Sequence, residues 1–315
     1  MILIQSILLI LAGIVGVLWG ADCFTDNAAR MARRLKISQM VIGLTVVAFG
    51  TSAPEFFVSL ASAVKGTSSM ALGNVIGSNI FNILIIVGVS ALLFPIMIPR
   101  SAVVRDLPVT VVSSLLLIFF CTDGEVARWE ALCFVLLFVL YIAFTLYCSP
   151  KEAMVASTTD EGVNSEKGLL VTLLLVVVGL VCLVFASTLF VDGAKMLAKQ
   201  CGVSDAVIGL TVVAGGTSLP ELATSIVAAR KGQSAMAIGN VLGSCVFNIL
   251  FIIGITGIVS PLSAQGITTF DMAVMGASTL LLWLFSYTQF RISRTEGMVL
   301  SLIFMAYMTW ILFHI

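Results

Sequence analysis

Charge and histidine are both scarce in this chain. Asp, Glu, Lys and Arg make up 10% of its 315 residues, against about 25% in an ordinary soluble domain. Sixteen acids cancel sixteen bases, so the basic footprint of a nucleic-acid binder is missing. A soluble enzyme could not cover its surface with so few charges. The sole histidine is His314, which excludes a His-built metal site and imidazole catalysis. Seven cysteines are odd in number, scattered and never in a CxxC pair. Most fall in apolar runs, where a free thiol behaves as a small hydrophobe.

Apolar sequence is what remains. The chain is 60% hydrophobic, with a mean hydropathy of +1.16. Disorder is excluded. A bilayer span needs about 20 mostly apolar residues, and ten runs of about that length nearly exhaust the chain. They fall near 2–22, 38–62, 70–94, 106–122, 129–148, 168–190, 204–228, 236–260, 267–287 and 296–314. The first run lacks a basic n-region and a small-residue cleavage site, so a retained helix is expected rather than a signal peptide.

An ungapped repeat organises these runs. VIGLTVVAFGTSAPE at 41–55 returns as VIGLTVVAGGTSLPE at 207–221, an offset of 166 residues. MALGNVIGSNIFNIL at 70–84 returns as MAIGNVLGSCVFNIL at 236–250. Ser38–Pro95 and Ser204–Pro261 share 33 identities in 58 positions, which apolar bias alone does not produce. The expected units are 1–148 and 167–315, joined by a polar linker at 149–166. Five spans per half is an odd number, so homologous halves must enter the membrane from opposite sides. The predicted fold is an all-α polytopic membrane protein of ten helices in two inverted five-helix repeats.

Lys and Arg counts orient it. Connections after odd-numbered spans hold 12 of the 16 bases, among them Arg30, Arg33, Arg34 and Lys36, and the other side holds 4. The positive-inside rule then places the 12 in the cytoplasm and both termini outside.

Most acids lie in connections or near span ends, but Glu55 and Glu221 lie well inside the second span of each half. A charge at the bilayer centre costs at least about 2.5 kcal/mol and must face a cavity or a partner. No Lys or Arg falls in the central part of any span. Each Glu closes a Gly-Thr-Ser-x-Pro-Glu run: Gly50, Thr51, Ser52, Pro54, Glu55 and Gly216, Thr217, Ser218, Pro220, Glu221. Proline removes a donor and clashes with the carbonyl four residues back. Helices 2 and 7 are therefore expected to break there, freeing carbonyls around Ala48–Thr51 and Ala214–Thr217. Freed carbonyls are tolerated at this depth only in a cavity or on an ion. Carboxylate, carbonyl and hydroxyl oxygens together suit a hard cation such as Ca²⁺. The third span of each half adds Ser78 and Asn82, matched by Ser244 and Asn248, four apart and so on one helical face. These polar groups also suit interhelical hydrogen bonding, but their placement on the stripe expected to face the glutamates favours the site. Gly73 and Gly77, matched by Gly239 and Gly243, share that stripe as a GxxxG.

The two GTSxPE and two GNxxGSxxFN segments resemble the α1 (41–82) and α2 (207–248) motifs of the sodium/calcium exchangers in the calcium/cation antiporter superfamily. The resemblance covers essentially the whole chain and implies four sites at mid-membrane. Glu55 and Glu221, with the carbonyls of Thr51 and Thr217, would ligate calcium. Ser52, Ser218, Ser78 and Ser244, with the carbonyls of Ala48 and Ala214, would serve sodium. Asn82 and Asn248 would border the central position, and some members carry an acid in place of Asn248. The resemblance implies Na⁺ and Ca²⁺ as cargo, no cofactor, no protein partner, and the short prokaryotic form, without a long regulatory loop, in a plasma (inner) membrane.

Charge counting gives the pocket −2, neutralised by one Ca²⁺, two Na⁺ or two protons; three Na⁺ leave +1. The expected activity is Na⁺/Ca²⁺ antiport by alternating access. H⁺-coupled antiport of Ca²⁺ or another divalent cation, and a passive cation channel, are the alternatives. Channels conduct without a counter-ion, whereas an inverted repeat around one paired site is carrier architecture. No activated nucleophile or cofactor motif accompanies the glutamates, so an enzyme is not expected.

Overall fold

A computed structural model describes residues 2–148, 168–202 and 214–314. The helices are α1 (Ile2–Leu35), α2 (Gln39–Thr51), α3 (Ala53–Val64), α4 (Ser68–Leu93), α5 (Ala102–Asp123) and α6 (Arg128–Tyr147). After the linker come α7 (Leu169–Gln200), α8 (Ala214–Thr217), α9 (Leu219–Arg230), α10 (Ser234–Val259), α11 (Thr269–Gln289) and α12 (Arg294–His314). Among the described residues eight helices are long and apolar enough to cross a membrane, or nine when α2 and α3 count as one broken span. This is an all-helical polytopic membrane fold. The expected linker at 149–166 and the start of the seventh run, 204–213, lie outside the described residues.

Helices α1 and α7 run well beyond their apolar segments, with 34 and 32 residues where the hydropathy marks 2–22 and 168–190. At 1.5 Å per residue α1 is about 51 Å long, more than the roughly 30 Å hydrocarbon core. Its extra turns carry Asp22, Asp26 and the basic cluster, polar residues that hydropathy alone excludes. The two long helices make the most extensive contact in the fold, and glycine permits it. A Cβ on Gly13 would meet the Phe190 backbone nitrogen at 2.6 Å, and one on Gly179 would meet the Phe24 nitrogen at 2.7 Å. Shifting the first contact by 166 residues gives the second with partners exchanged.

The same exchange recurs at the membrane ends. Four two-residue strands, β1 (Ile96–Met97), β2 (Glu125–Val126), β3 (Leu262–Ser263) and β4 (Arg291–Ile292), pair antiparallel as β1–β4 and β2–β3. Ile96 faces Ile292, and Val126 faces Leu262; adding 166 to Ile96 and to Val126 reaches Leu262 and Ile292. The sequence repeat is thus expressed as a reciprocal set of contacts between the halves.

The core lies around α4 and α10, buried on nearly every face. Large apolar side chains elsewhere, such as Val15, Phe57, Leu140, Val181 and Leu302, are exposed. On a chain of this composition they form the lipid-facing surface. Asp106, at the end of the fourth span, is the contrasting buried acid: Arg105 Nε donates to it at 2.9 Å and Tyr141 Oη at 3.4 Å. It is a neutralised structural carboxylate.

Candidate functional site

Helices α2 and α3 meet at a 48° bend. Pro54 stands in the first turn of α3, where its missing N–H costs nothing, and Ser52 is the hinge, with φ −83° and ψ 7°. The Ser52 N–H still reaches the Ala48 carbonyl at 3.0 Å, so Pro54 withholds a donor only from Gly50. The Ala48 oxygen lies within reach of a second donor as well, Thr51 Oγ1 at 3.4 Å, so this carbonyl is less free than the proline alone implies. In the other half Ser218 (φ −91°, ψ 9°) stands between α8 and α9, with Pro220 in the first turn of α9.

Both glutamates therefore sit in the first turn of a helix that starts inside the fold. Each is 1% exposed, and each is met by the serine hinge of the opposite half. Ser52 Oγ donates to Glu221 Oε1 at 2.9 Å, and Ser218 Oγ donates to Glu55 Oε1 at 3.0 Å. The second oxygen of each carboxylate has no hydrogen-bond partner among the described residues. Neither takes part in an ion pair among the described residues, unlike Asp106 with Arg105. Thr51 lies beside Glu221 and Thr217 beside Glu55.

Helices α4 and α10 pack against the glutamate helices α3 and α9. Ser78, Asn82, Ser244 and Asn248 are all buried, and among the described residues Asn82 Oδ1, Asn248 Oδ1 and Ser244 Oγ have no hydrogen-bond partner. Asn82 opens a π-helical stretch, Asn82–Val87, and Asn248 lies in another, Phe247–Ile253. Such wide turns concentrate at functional sites. On the predicted site residues the orphaned atoms are oxygens, two from carboxylates, two from amides and one from a hydroxyl, while Asn79 Nδ2 beside Asn248 is an orphaned donor. Buried oxygens left without donors are costly, and a hard cation is the partner this set fits. Among the described residues no three His, Cys, Asp or Glu cluster.

Asn74 and Asn240, read from sequence only as members of the motif, hold the glutamate backbones with Ser59 and Ser225, which sequence reasoning passed over. Asn240 Nδ2 donates to the Glu221 carbonyl at 3.3 Å and to Ser225 Oγ at 2.9 Å, while Asn240 Oδ1 accepts from Thr51 Oγ1 at 3.1 Å. Asn74 Nδ2 repeats this with the Glu55 carbonyl at 3.3 Å and Ser59 Oγ at 2.9 Å. The repeat itself was the available signal, since all four positions are identical between the halves. Asn79 was also missed: its Oδ1 accepts from Asn248 Nδ2 at 3.5 Å, and its counterpart in the repeat is Cys245. The small-residue stripe packs closely on α10, whereas a Cβ on Gly73 or Gly77 of α4 would meet nothing within 4 Å among the described residues. A Cβ on Gly239 would lie 2.7 Å from the Met40 carbonyl oxygen, and one on Gly243 would lie 2.6 Å from that of Leu44.

The chain as a whole is similar to known proteins. A model of the sodium/calcium exchanger protein family matches residues 5–147 and again 171–313. CaxA of Alkalimonas amylolytica is 39% identical, over 97% of this chain and 98% of that protein. Sodium/calcium exchanger MaX1 of Methanosarcina acetivorans is 34% identical, over 98% and 99%. A solved structure of the sodium-calcium exchanger NCX_Mj, soaked with 10 mM Na⁺ and zero Ca²⁺, superposes with a TM-score of 0.84. It shares 30% identity over 98% of this chain and 99% of that one.

Proposed function

The chain belongs to the sodium/calcium exchanger protein family, and from that premise we propose that it exchanges Na⁺ for Ca²⁺ at one mid-membrane site built on Glu55 and Glu221. The observation that carries the reading is the pair of buried carboxylates that, among the described residues, have no basic counter-charge and each keep one oxygen unpartnered. Two ionised carboxylates in an apolar interior call for a cationic guest, and Ca²⁺ neutralises both. In this reading Ca²⁺ takes the free oxygens of Glu55 and Glu221 with the carbonyls of Thr51 and Thr217. Sodium uses Ser52, Ser218, Ser78, Ser244 and the carbonyls of Ala48 and Ala214, and Asn82 and Asn248 border the centre. Both cargoes need the same carboxylates, so they compete, and competition at a site exposed alternately to each side is antiport. Three Na⁺ per Ca²⁺ would carry one net charge, worth about 2.3 kcal/mol per 100 mV.

The same reading fixes the topology: ten spans in two inverted halves, 1–148 and 167–315, with 149–166 as a cytoplasmic linker. The end bearing Arg30, Arg33, Arg34 and Lys36 faces the cytoplasm of a prokaryotic plasma membrane, and both termini lie outside. Sodium-gradient-driven ⁴⁵Ca²⁺ uptake into proteoliposomes tests the activity. Uptake following an imposed Na⁺ gradient, unchanged when the pH gradient is collapsed, is the expected result. Uptake driven by a proton gradient alone would replace this reading with H⁺-coupled antiport, and Ca²⁺ conduction without any counter-ion would replace it with a channel.

A further inference from the structure

The two halves match contact for contact at the strands, the α1–α7 crossing and the serine–glutamate exchange, but they differ in their ion pairs. Lys231 follows directly on α9, the Glu221 helix. Its Nζ lies 2.8 Å from Asp22 Oδ1 and 2.8 Å from Asp26 Oδ1 on α1, and Arg230 reaches Asp22 at 3.1 Å. Glu221's helix is thereby tied to α1 at the basic end of the molecule. Applying the 166-residue offset, Lys231 corresponds to Lys65, which follows α3, the Glu55 helix, and Asp26 corresponds to Asp192 on α7. Both charges are present at the far end, yet Lys65 is exposed and makes no ion pair among the described residues. Asp192 instead meets Lys195, one turn along its own helix, at 3.7 Å. The basic end is also where α10 presses its glycines onto α2.

We propose that Lys231 and Lys65 are alternating positioning residues that set which face the site opens to. Lys231 with Asp22 and Asp26 holds the basic end shut in the state seen here, and Lys65 with Asp192 forms when the far end shuts. The proposal rests on the carrier reading above. It uses the repeat directly: an inverted pair of halves exchanges conformations when the site changes sides, so a bond made in one half in one state belongs to the other half in the opposite state. Arg230 has no basic counterpart at Val64, nor Asp22 an acidic one at Thr188. The basic-end latch therefore has more charges, which favours the state closed at that end.

Exposed ion pairs bias a two-state equilibrium modestly, so the expected shifts are about threefold to tenfold. The test measures half-saturating Ca²⁺ at each membrane face, with the full chain in vesicles of both orientations and whichever counter-ion gradient drives the wild type. Lys231→Gln should lower half-saturating Ca²⁺ at the basic face and raise it at the far face. Lys65→Gln should do the reverse, and the exchange Lys231→Asp with Asp26→Lys should return both faces toward wild type. Equal shifts at both faces, shifts of one sign for both lysines, or no shift would overturn the proposal. A purely structural lysine would change yield or maximal flux without this opposition between faces. Loss of sodium coupling would show in the wild-type gradient alone and would leave the comparison of faces intact.

Discussion

Glu221→Gln removes half of the pocket charge while keeping the shape of the side chain. The amide oxygen can still accept from Ser52 Oγ, which meets Glu221 Oε1 at 2.9 Å, so the serine hinge keeps its bond. The amide nitrogen then takes the place of the unpartnered Oε2, turning a donor toward the guest where an acceptor stood. One Ca²⁺ now leaves an uncompensated unit charge in a buried site. At a separation of about 4 Å and an effective dielectric of about 20, a unit pair is worth about 4 kcal/mol, or about a thousandfold in affinity. Half-saturating Ca²⁺ should rise by about that factor, abolishing uptake at submillimolar Ca²⁺. Thermal unfolding in detergent separates this from misfolding: Ca²⁺ should raise the Tm of the wild type and leave that of the variant unmoved, with similar Tm values in the absence of Ca²⁺. The exchanged serine bonds make Glu55→Gln its equivalent. Wild-type uptake and a wild-type Ca²⁺ shift in either variant would refute the assignment of the two carboxylates.

Asn240→Ala strips a donor from the Glu221 carbonyl and Ser225, and an acceptor from Thr51. A destabilisation of about 1–3 kcal/mol is expected, read as a lower Tm together with weaker Ca²⁺ binding. Gly243→Ala places a methyl group 2.6 Å from the Leu44 carbonyl oxygen, and overpacking of that kind costs about 1–3 kcal/mol. Its Tm should fall, and a Tm equal to that of the wild type would contradict the close contact of α10 with α2. Asn248→Asp adds a third carboxylate where an unpartnered amide oxygen now stands. The expected result is a changed Na⁺ dependence or new proton sensitivity of ⁴⁵Ca²⁺ flux; identical Na⁺ and pH profiles would make Asn248 structural.

What sequence could reveal here depended on range. Glu55 and Glu221 stood out because the apolar runs around them are long, and the offset of 166 residues paired them without a structure. Pro54 and Pro220 marked the breaks because proline acts locally, on the carbonyl four residues back. The bond from Ser52 to Glu221 spans 169 residues, and no spacing rule predicts which half supplies the partner of which carboxylate. The π-helical stretches at Asn82–Val87 and Phe247–Ile253 were equally hidden, since one extra residue per turn barely disturbs a run of buried apolar side chains. Hydropathy ended the first helix near residue 22 because it scores Asp22 and Asp26 as breaks. They are instead helical residues that hold Lys231. Asn74 and Asn240 read as polar members of a motif, and only geometry shows that they grip the backbone of the glutamates.

The central claim is that Na⁺ and Ca²⁺ contend for one pair of carboxylates. Equilibrium ⁴⁵Ca²⁺ binding to the purified chain, titrated with Na⁺ at constant ionic strength, tests it most directly. Competition at Glu55 and Glu221 predicts that apparent Ca²⁺ affinity falls without limit as Na⁺ rises, at a steepness reflecting two or more sodium ions. Calcium binding that ignores Na⁺, or that settles on a plateau with both ions bound, would contradict the account.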